Sequence, residues 1–327
     1  MASVTKATTY DAANSMREDL SNIIYDISPT TTPLMSNIGR DTADNTYFEW
    51  QTDVLAAASS SNAVVEGADA GNADFVETVR SANYAQISNK IVSVSGTSQA
   101  VNMAGMRSLL AYETAKKAKE LKRDMEATIT ANQAANAGST SVARVTAGLP
   151  AWLRTNAVAN GATAPTVSGS SGNGYPNAAW TNLDPTNAAQ DLTETMLKTA
   201  IKEAWSEGSE VSVFMVGPHN KTVASGFAGL AEQRVTYNQV KPLKIIAAAD
   251  VYLSDFGEVA IVANRFQPEN FAFVLDPEYA SVSYLRPFQT LDIGKTGDST
   301  KKELVVEYGL RVKTEKAHAV IANLTTS

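Results

Sequence analysis

Residues Asp26 to Gly39 read DISPTTTPLMSNIG and lead, a few positions on, into the aromatic run YFEW at Tyr47 to Trp50. Pro29 and Pro33 bracket three threonines. Each proline lacks an N–H and pushes its predecessor toward extended geometry, so a helix candidate at Ala12 to Tyr25 cannot run on through them. Residues 1–40 therefore read as an extended arm that lies on something else, with a disordered terminus as the alternative.

Downstream, Asn45 to Val54 and Val79 to Ser95 are strand candidates, the second through the partial alternation of Ile87, Ile91, Val92 and Val94 with polar neighbours. They read as the two sides of a long hairpin. The connection LAAASSSNAVVEGADAGNADF, Leu55 to Phe75, is small, polar and acidic, a composition that packs no core by itself. It is expected to be a mobile tip unless a neighbour orders it.

The chain has 327 residues, enough for roughly two ordinary domains or one core with arms, and a net charge of −7. Most of that charge lies between Asp41 and Val101, where Asp41, Asp44, Glu49, Asp53, Glu66, Asp69, Asp74 and Glu77 stand against only Arg80 and Lys90. From Asn102 to Asn136 the sign reverses, with Arg107, Lys116, Lys117, Lys119, Lys122 and Arg123 outnumbering the carboxylates. A net-acidic chain argues against tight nonspecific nucleic-acid binding, which needs many cations against phosphates. Beside DNA it would be a wall rather than a clamp.

Met103 to Asn136 contains no proline and is rich in helix formers; Met106, Leu110, Thr114, Ala118, Leu121, Met125 and Ile129 fall on one face. A helix of that length would span roughly 45 to 50 Å. Ala137 to Gln190 shifts to Gly, Ser, Ala, Asn and Thr and reads as an irregular insertion anchored by Trp152 and Trp180. Asp191, with Glu194 three residues on, reads as the cap of an amphipathic helix whose buried face runs from Leu192 to Trp205. Strands are expected at Val211 to Val216, Leu243 to Leu253, Val259 to Ala263, Phe271 to Leu275, Ala280 to Leu285, Glu303 to Thr314 and Ala317 to Leu324, with a helix at about His219 to Leu230. Helices early and mixed strands late give an α+β fold.

The residues offer little chemistry. There is no cysteine, so no disulfide, thiolate site or cysteine nucleophile. GKT at Gly294 to Thr296 lacks the glycine that a phosphate loop needs at 289, where Gln289 stands. GSSGNG from Gly169 has no preceding strand and no basic residue. His219 and His318 sit in no metal-binding spacing, and the acidic tip lacks the ligand order of a calcium loop. No catalytic, cofactor or metal site is expected, and the chain does not read as an enzyme. No apolar run is long enough to span a membrane, and the first residues lack a signal peptide's apolar stretch, so the chain is expected to stay where it is made.

The order of segments resembles the Hong Kong-type fold of tailed-bacteriophage major capsid proteins, essentially over the whole chain. The likeness is carried by Pro29, Thr32, Pro33, Leu34, Ile38 and Gly39, by the helix candidate at Met103 to Asn136, by GLPAWLRTN at Gly148 to Asn156, and by VFMVGPHNK at Val213 to Lys221. The resemblance implies an N-terminal arm at 1–40, an E-loop at 41–101, a peripheral domain at 102–189 and 281–327, and an axial domain at 190–280. Within the peripheral domain it implies a spine helix at 103–136 and an insertion at 137–189.

It further implies self-assembly as pentamers and hexamers into an icosahedral shell enclosing phage double-stranded DNA. Scaffolding and portal proteins would be partners, the host bacterial cytoplasm the place of assembly, and the virion the destination. Some members crosslink subunits through an E-loop lysine, but residues 55–78 contain none, so a shell without that isopeptide bond is expected. Others begin with a long scaffolding segment, whereas about 40 residues precede the E-loop here, which points to a separate scaffold. The charge asymmetry suggests a subunit interface in which Glu66, Asp69, Asp74 and Glu77 of one copy lie near Lys116, Lys117, Lys119 and Arg123 of the next. The competing functions are an encapsulin-like compartment for protein cargo, an enzyme of another class, and a monomeric surface protein.

Overall fold

A computed structural model of the chain describes residues 28–69, 71, 77–101, 106–169, 173–183, 189–227, 251–295 and 297–326. The helix expected at Ala12 to Tyr25, the start of the one expected from Met103, the end of the one expected at His219 to Leu230 and most of the strand expected at Leu243 to Leu253 lie outside them. The strands are β1 (Gly39–Thr42), β2 (Tyr47–Thr52), β3 (Val79–Tyr84), β4 (Gln86–Ser95), β5 (Ala157–Val158), β6 (Val213–Val216), β7 (Val251–Ser254), β8 (Gly257–Ala263), β9 (Phe271–Leu275), β10 (Ala280–Ile293), β11 (Ser299–Val312) and β12 (Ala319–Ala322). The helices are α1 (Pro33–Asn37), α2 (Gly96–Ala100), α3 (Leu109–Thr130), α4 (Leu149–Trp152), α5 (Glu194–Ser206) and α6 (Pro218–Ala224).

Two sheets carry the molecule, one ordered β1-β10-β11-β4 and the other β5-β12-β9-β6-β8-β7. The central strands of the six-stranded sheet are apolar on both sides, which is what a sheet buried on both faces requires. Phe271, Phe273 and Leu275 of β9, Val213 and Met215 of β6, and Val320 and Ala322 of β12 enter one core. Their neighbours Ala272, Val274, Phe214, Val216, Ala319 and Ile321 point into the other. The first core joins this sheet to α3, α4 and the four-stranded sheet; the second packs it on α5, with Leu197, Ala200, Ile201 and Ala204.

The long helix is shorter than its composition suggests. It runs 22 residues, a rod of about 33 Å, because Ser108 caps its start by accepting from the Ala111 amide and Ala131 turns out of helical geometry at its end. Gly148 sits directly on that end: a Cβ there would stand 1.9 Å from the Ala131 carbonyl oxygen. The expected face holds, with Leu121, Met125 and Ile129 fully buried.

Other details differ from the sequence reading. The hairpin pairs β2 with β3 only, Tyr47 opposite Tyr84 through Thr52 opposite Val79. At Ala85, which is buried and donates its N–H to the Thr46 carbonyl, the chain leaves the hairpin and β4 joins β11 instead. The cap of α5 is Thr193, which accepts from the Met196 amide, while Asp191 accepts a hydrogen bond from the Thr325 hydroxyl. Trp205 is 52% exposed, near the end of its helix, where its ring lies tilted against that of Phe256 with centroids 4.9 Å apart. Strand β10 runs on to Ile293, its exposed half held by pairing with β11 beyond an irregularity at Arg286 to Gln289.

Replacing Gly148 by alanine forces a methyl group into the Ala131 carbonyl, which is backbone and cannot swing aside. The expected loss is about 2 to 3 kcal/mol of stability, read by urea unfolding of the subunit.

Candidate assembly surfaces

The PTTTPLMSN stretch forms a helix after all, but only one turn of it, with Pro33 at its first position. Thr32 makes no side-chain cap, so the free N–H groups of that turn need an acceptor from elsewhere. Glu126 of α3 supplies it. Its Oε1 accepts from the Leu34 amide at 2.7 Å and its Oε2 from the Met35 amide at 3.0 Å. Oε1 also accepts from the Asn264 Nδ2 at 2.7 Å, just beyond β8. Glu126 is fully buried with no cation among these partners; burial raises its pKa above the ordinary carboxylate value, against the lowering effect of the three donors.

Beyond α1 the chain becomes β1, pairing in parallel with β10. Asp41 takes an ion pair from Arg311, whose guanidinium also lies over the rings of Phe48 at 5.5 Å and Trp50 at 5.8 Å. Trp50 in turn meets Trp152 of α4 at 5.3 Å. Gly309 of β11 lets Phe48 press onto the four-stranded sheet, since a Cβ there would be 2.6 Å from its ring. Behind β3, Gly174 donates to the Arg80 carbonyl and accepts from the Ala82 amide, so part of the insertion runs alongside the hairpin root. The root of the hairpin is thus fixed on several sides.

The far end of the hairpin is not. Residues 53–69 are exposed throughout, with Leu55 at 95%, Val64 at 77% and Val65 at 81%. Within this stretch Val65 to Ala68 form a β-turn, the Ala68 amide donating to the Val65 carbonyl and Gly67 at φ +82° supplying the conformation that position needs. The spine side of the molecule presents cations: Lys116 and Lys119 are exposed, and Arg123 is half-buried. Lys117 pairs with Glu120 at 2.8 Å and Lys116 approaches Glu113 at 4.0 Å, both within α3.

The sequence as a whole matches the model of the SU10 major capsid protein family over residues 3–325. The chain belongs to that family. It is 26% identical to the major capsid protein of Escherichia phage Phieco32, covering 98% of this chain and 97% of that one. Among solved structures it is similar to the cyanophage A-1(L) capsid asymmetric unit, with a TM-score of 0.66 at 11% identity over 98% of this chain and 100% of that one. It is also similar to the SrpI encapsulin complex from Synechococcus elongatus PCC 7942, with a TM-score of 0.55 at 12% identity over 98% and 97% of the two chains. The chain is a phage major capsid protein with the Hong Kong-type fold.

In this capsid protein Glu66, Asp69 and Glu77 lie exposed on the hairpin connection, and Asp74 falls outside the described residues. Among the described residues Glu66, Asp69 and Glu77 form no ion pair with Lys116, Lys117, Lys119 or Arg123 inside one subunit, where Lys117 pairs with Glu120 and Lys116 faces Glu113. In the sequence Glu126 is one of several carboxylates between Asn102 and Asn136. Its signal was its position, since it follows Met125 and precedes Ile129 by three on the buried face.

His318 has a structural place. His318 is buried, its Nδ1 accepts from the Asp276 amide at 3.2 Å, and burial lowers its pKa to about 4. His219 is the second residue of α6, and Gly217, which precedes that helix, leaves room for the Glu269 carboxylate, 2.3 Å from where a Cβ would stand. Among the described residues no three His, Asp or Glu side chains gather as a metal cluster.

Native Glu126 keeps its proton above the ordinary pKa of 4.5, where the unfolded chain has released it. Stability from this group is therefore full below pH 4.5 and falls as pH rises toward the raised value. His318 slopes the other way between about 4 and 6.5, so the effect is read as a difference. Wild-type stability relative to Glu126→Gln should decline as pH rises through that window, and the substitution itself should cost about 1 to 3 kcal/mol for the amide donor it sets against an N–H. Urea melts from pH 4 to 7 check both.

Proposed function

We propose that this capsid protein assembles as pentamers and hexamers that close into an icosahedral shell around packaged double-stranded DNA. The observation that carries this reading is the hairpin tip, where Leu55, Val64 and Val65 stand in water on a segment with no core of its own. Apolar surface of that kind is stabilised when a partner covers it, at about 25 cal/mol per Å² buried. In a shell of identical subunits the partner is another copy.

On this reading residues 1–40 are the N-arm, 41–101 the E-loop, 102–189 and 281–327 the peripheral domain, and 190–280 the axial domain. Assembly takes place in the host bacterial cytoplasm with scaffolding and portal proteins, and the product is the virion head. An encapsulin-like compartment is the second reading, favoured only by the likeness in fold to the SrpI complex. The Phieco32 relative and the family match favour the phage head.

The acidic connection and the basic α3 face add an electrostatic contact between copies. Each exposed pair contributes about 0 to 1 kcal/mol, and salt screens it. Repetition around a shell makes the sum matter.

Electron microscopy and nuclease digestion of particles from an infected host should show closed shells protecting double-stranded DNA; shells filled with protein and free of DNA would favour the compartment. In low salt, changing Glu66, Asp69, Asp74 and Glu77 to lysine should cut the yield of sedimenting shells several-fold, and undiminished assembly would remove the electrostatic contact. Boiled shells should run as monomers on a denaturing gel, since residues 55–78 hold no lysine for an isopeptide link.

A further inference from the structure

The carboxylate that holds the arm is not dedicated to it. Glu126 Oε1 accepts from the Leu34 amide and, at the same 2.7 Å, from the Asn264 Nδ2, while Oε2 accepts from the Met35 amide at 3.0 Å. Leu34 and Met35 belong to α1, whereas Asn264 opens the connection between β8 and β9, the two strands that flank β6 in the six-stranded sheet. Asn264 is fully buried. Its backbone N–H donates to the Val216 carbonyl at 2.9 Å, its Oδ1 accepts from the Phe266 amide at 2.9 Å, and its Nδ2 also lies 3.4 Å from the Met215 sulfur. The Thr130 hydroxyl, one turn past Glu126 on α3, donates to the Phe266 carbonyl at 3.1 Å. Farther along, the Glu269 carbonyl accepts from the Asn220 Nδ2 of α6 at 2.7 Å. The connection thus joins the end of α3 to the end of β6 and to α6.

A buried carboxylate with no cation among its partners depends on each of its donors, because every lost N–H leaves more of its desolvation uncompensated. Here the donors come from two segments far apart in the chain. If α1 lifts away, water reaches the carboxylate and Asn264 shares its acceptor with solvent. If Asn264 turns away, Oε1 keeps one donor of two and holds α1 less firmly.

We propose that Glu126 is a relay between the arm and the six-stranded sheet, so that docking of α1 orders the β8–β9 connection and loosening of either segment loosens the other. Such a coupling is reciprocal by thermodynamic necessity. Asn264 is then a positioning residue for an arm with which it shares an acceptor and, among the described residues, no hydrogen bond. The relay is a property of one subunit and does not rest on the shell reading. Its rival is the apolar core, since Leu34 packs in the same cluster as Met215 and Phe271.

Hydrogen–deuterium exchange of free subunits, read on peptides covering 33–38 and 264–270, separates the two. Asn264→Ala leaves every side chain of α1 in place and should speed exchange over 33–38 several-fold. Met35→Pro removes an arm donor and should speed exchange over 264–270 several-fold, the Phe266 amide being the most direct reporter because it donates to Asn264 Oδ1. Slow exchange over Phe271–Leu275 shows that each variant remains folded. Where a variant fails that check, Asn264→Ser or Pro33→Gly loosens the same segment more gently. In a Glu126→Leu background the shared acceptor is gone, and adding Asn264→Ala should leave exchange over 33–38 unchanged. Wild-type exchange over 33–38 in Asn264→Ala, or over 264–270 in Met35→Pro, would overturn the relay. So would an equal rise over 33–38 when Asn264→Ala is added to Glu126→Leu, which would place the coupling in the apolar core instead.

Discussion

A single buried carboxylate holds the arm to the body of this capsid protein. Glu126 accepts from two amides of α1 and from the Asn264 side chain, and it does so without a countercharge. Leaving those N–H groups unsatisfied in the core would cost about 1 to 3 kcal/mol for each. With α1 held, Leu34 enters the main core at 1% exposure, and the next residues are delivered to β10 in parallel register. Arm, spine helix and four-stranded sheet become one body through that contact.

The rest of the subunit follows a division between what it can bury alone and what it cannot. The six-stranded sheet alternates its side chains between two cores and leaves its central strands closed to solvent. The hairpin root is packed by Phe48, Trp50 and Trp152, with Arg311 lying over the first two rings. Past Thr52 this packing stops, and Val54, Leu55, Val64 and Val65 stand exposed. Exposed apolar side chains on a segment with no core of its own give the protein a reason to associate, and the small gain per contact favours reversible, correctable association.

Much of this was legible in the residues. Phe271–Leu275 forms the strand its apolar run indicates, and the repeat of Leu121, Met125 and Ile129 marks the buried face of α3. The proline-bracketed threonines with the spine, the insertion and the Val213–Lys221 corner carried the family likeness, and the fold agrees with that likeness. What stayed hidden depended on contacts between distant segments. Proline chemistry argues for a break at Pro33, and only the acceptor 93 positions away at Glu126 makes a one-turn helix there worthwhile. The ends of α3 depend on a serine hydroxyl and on Gly148, neither visible in helix propensity. Strand β4 reads as the hairpin's continuation because its pattern is the same, and its transfer to β11 is set by long-range pairing.

Residues 33–42 are secured within the subunit, and the exposed residues 53–69 are proposed to be covered by a neighbour. Hydrogen–deuterium exchange, followed by mass spectrometry on intact shells and on subunits dissociated from them, measures both segments at once. The account predicts slow exchange over residues 33–38 in both states, with fast exchange over 53–69 in free subunits becoming slow in shells. Protection of 53–69 already in the free subunit, or its continued fast exchange in the shell, would contradict it.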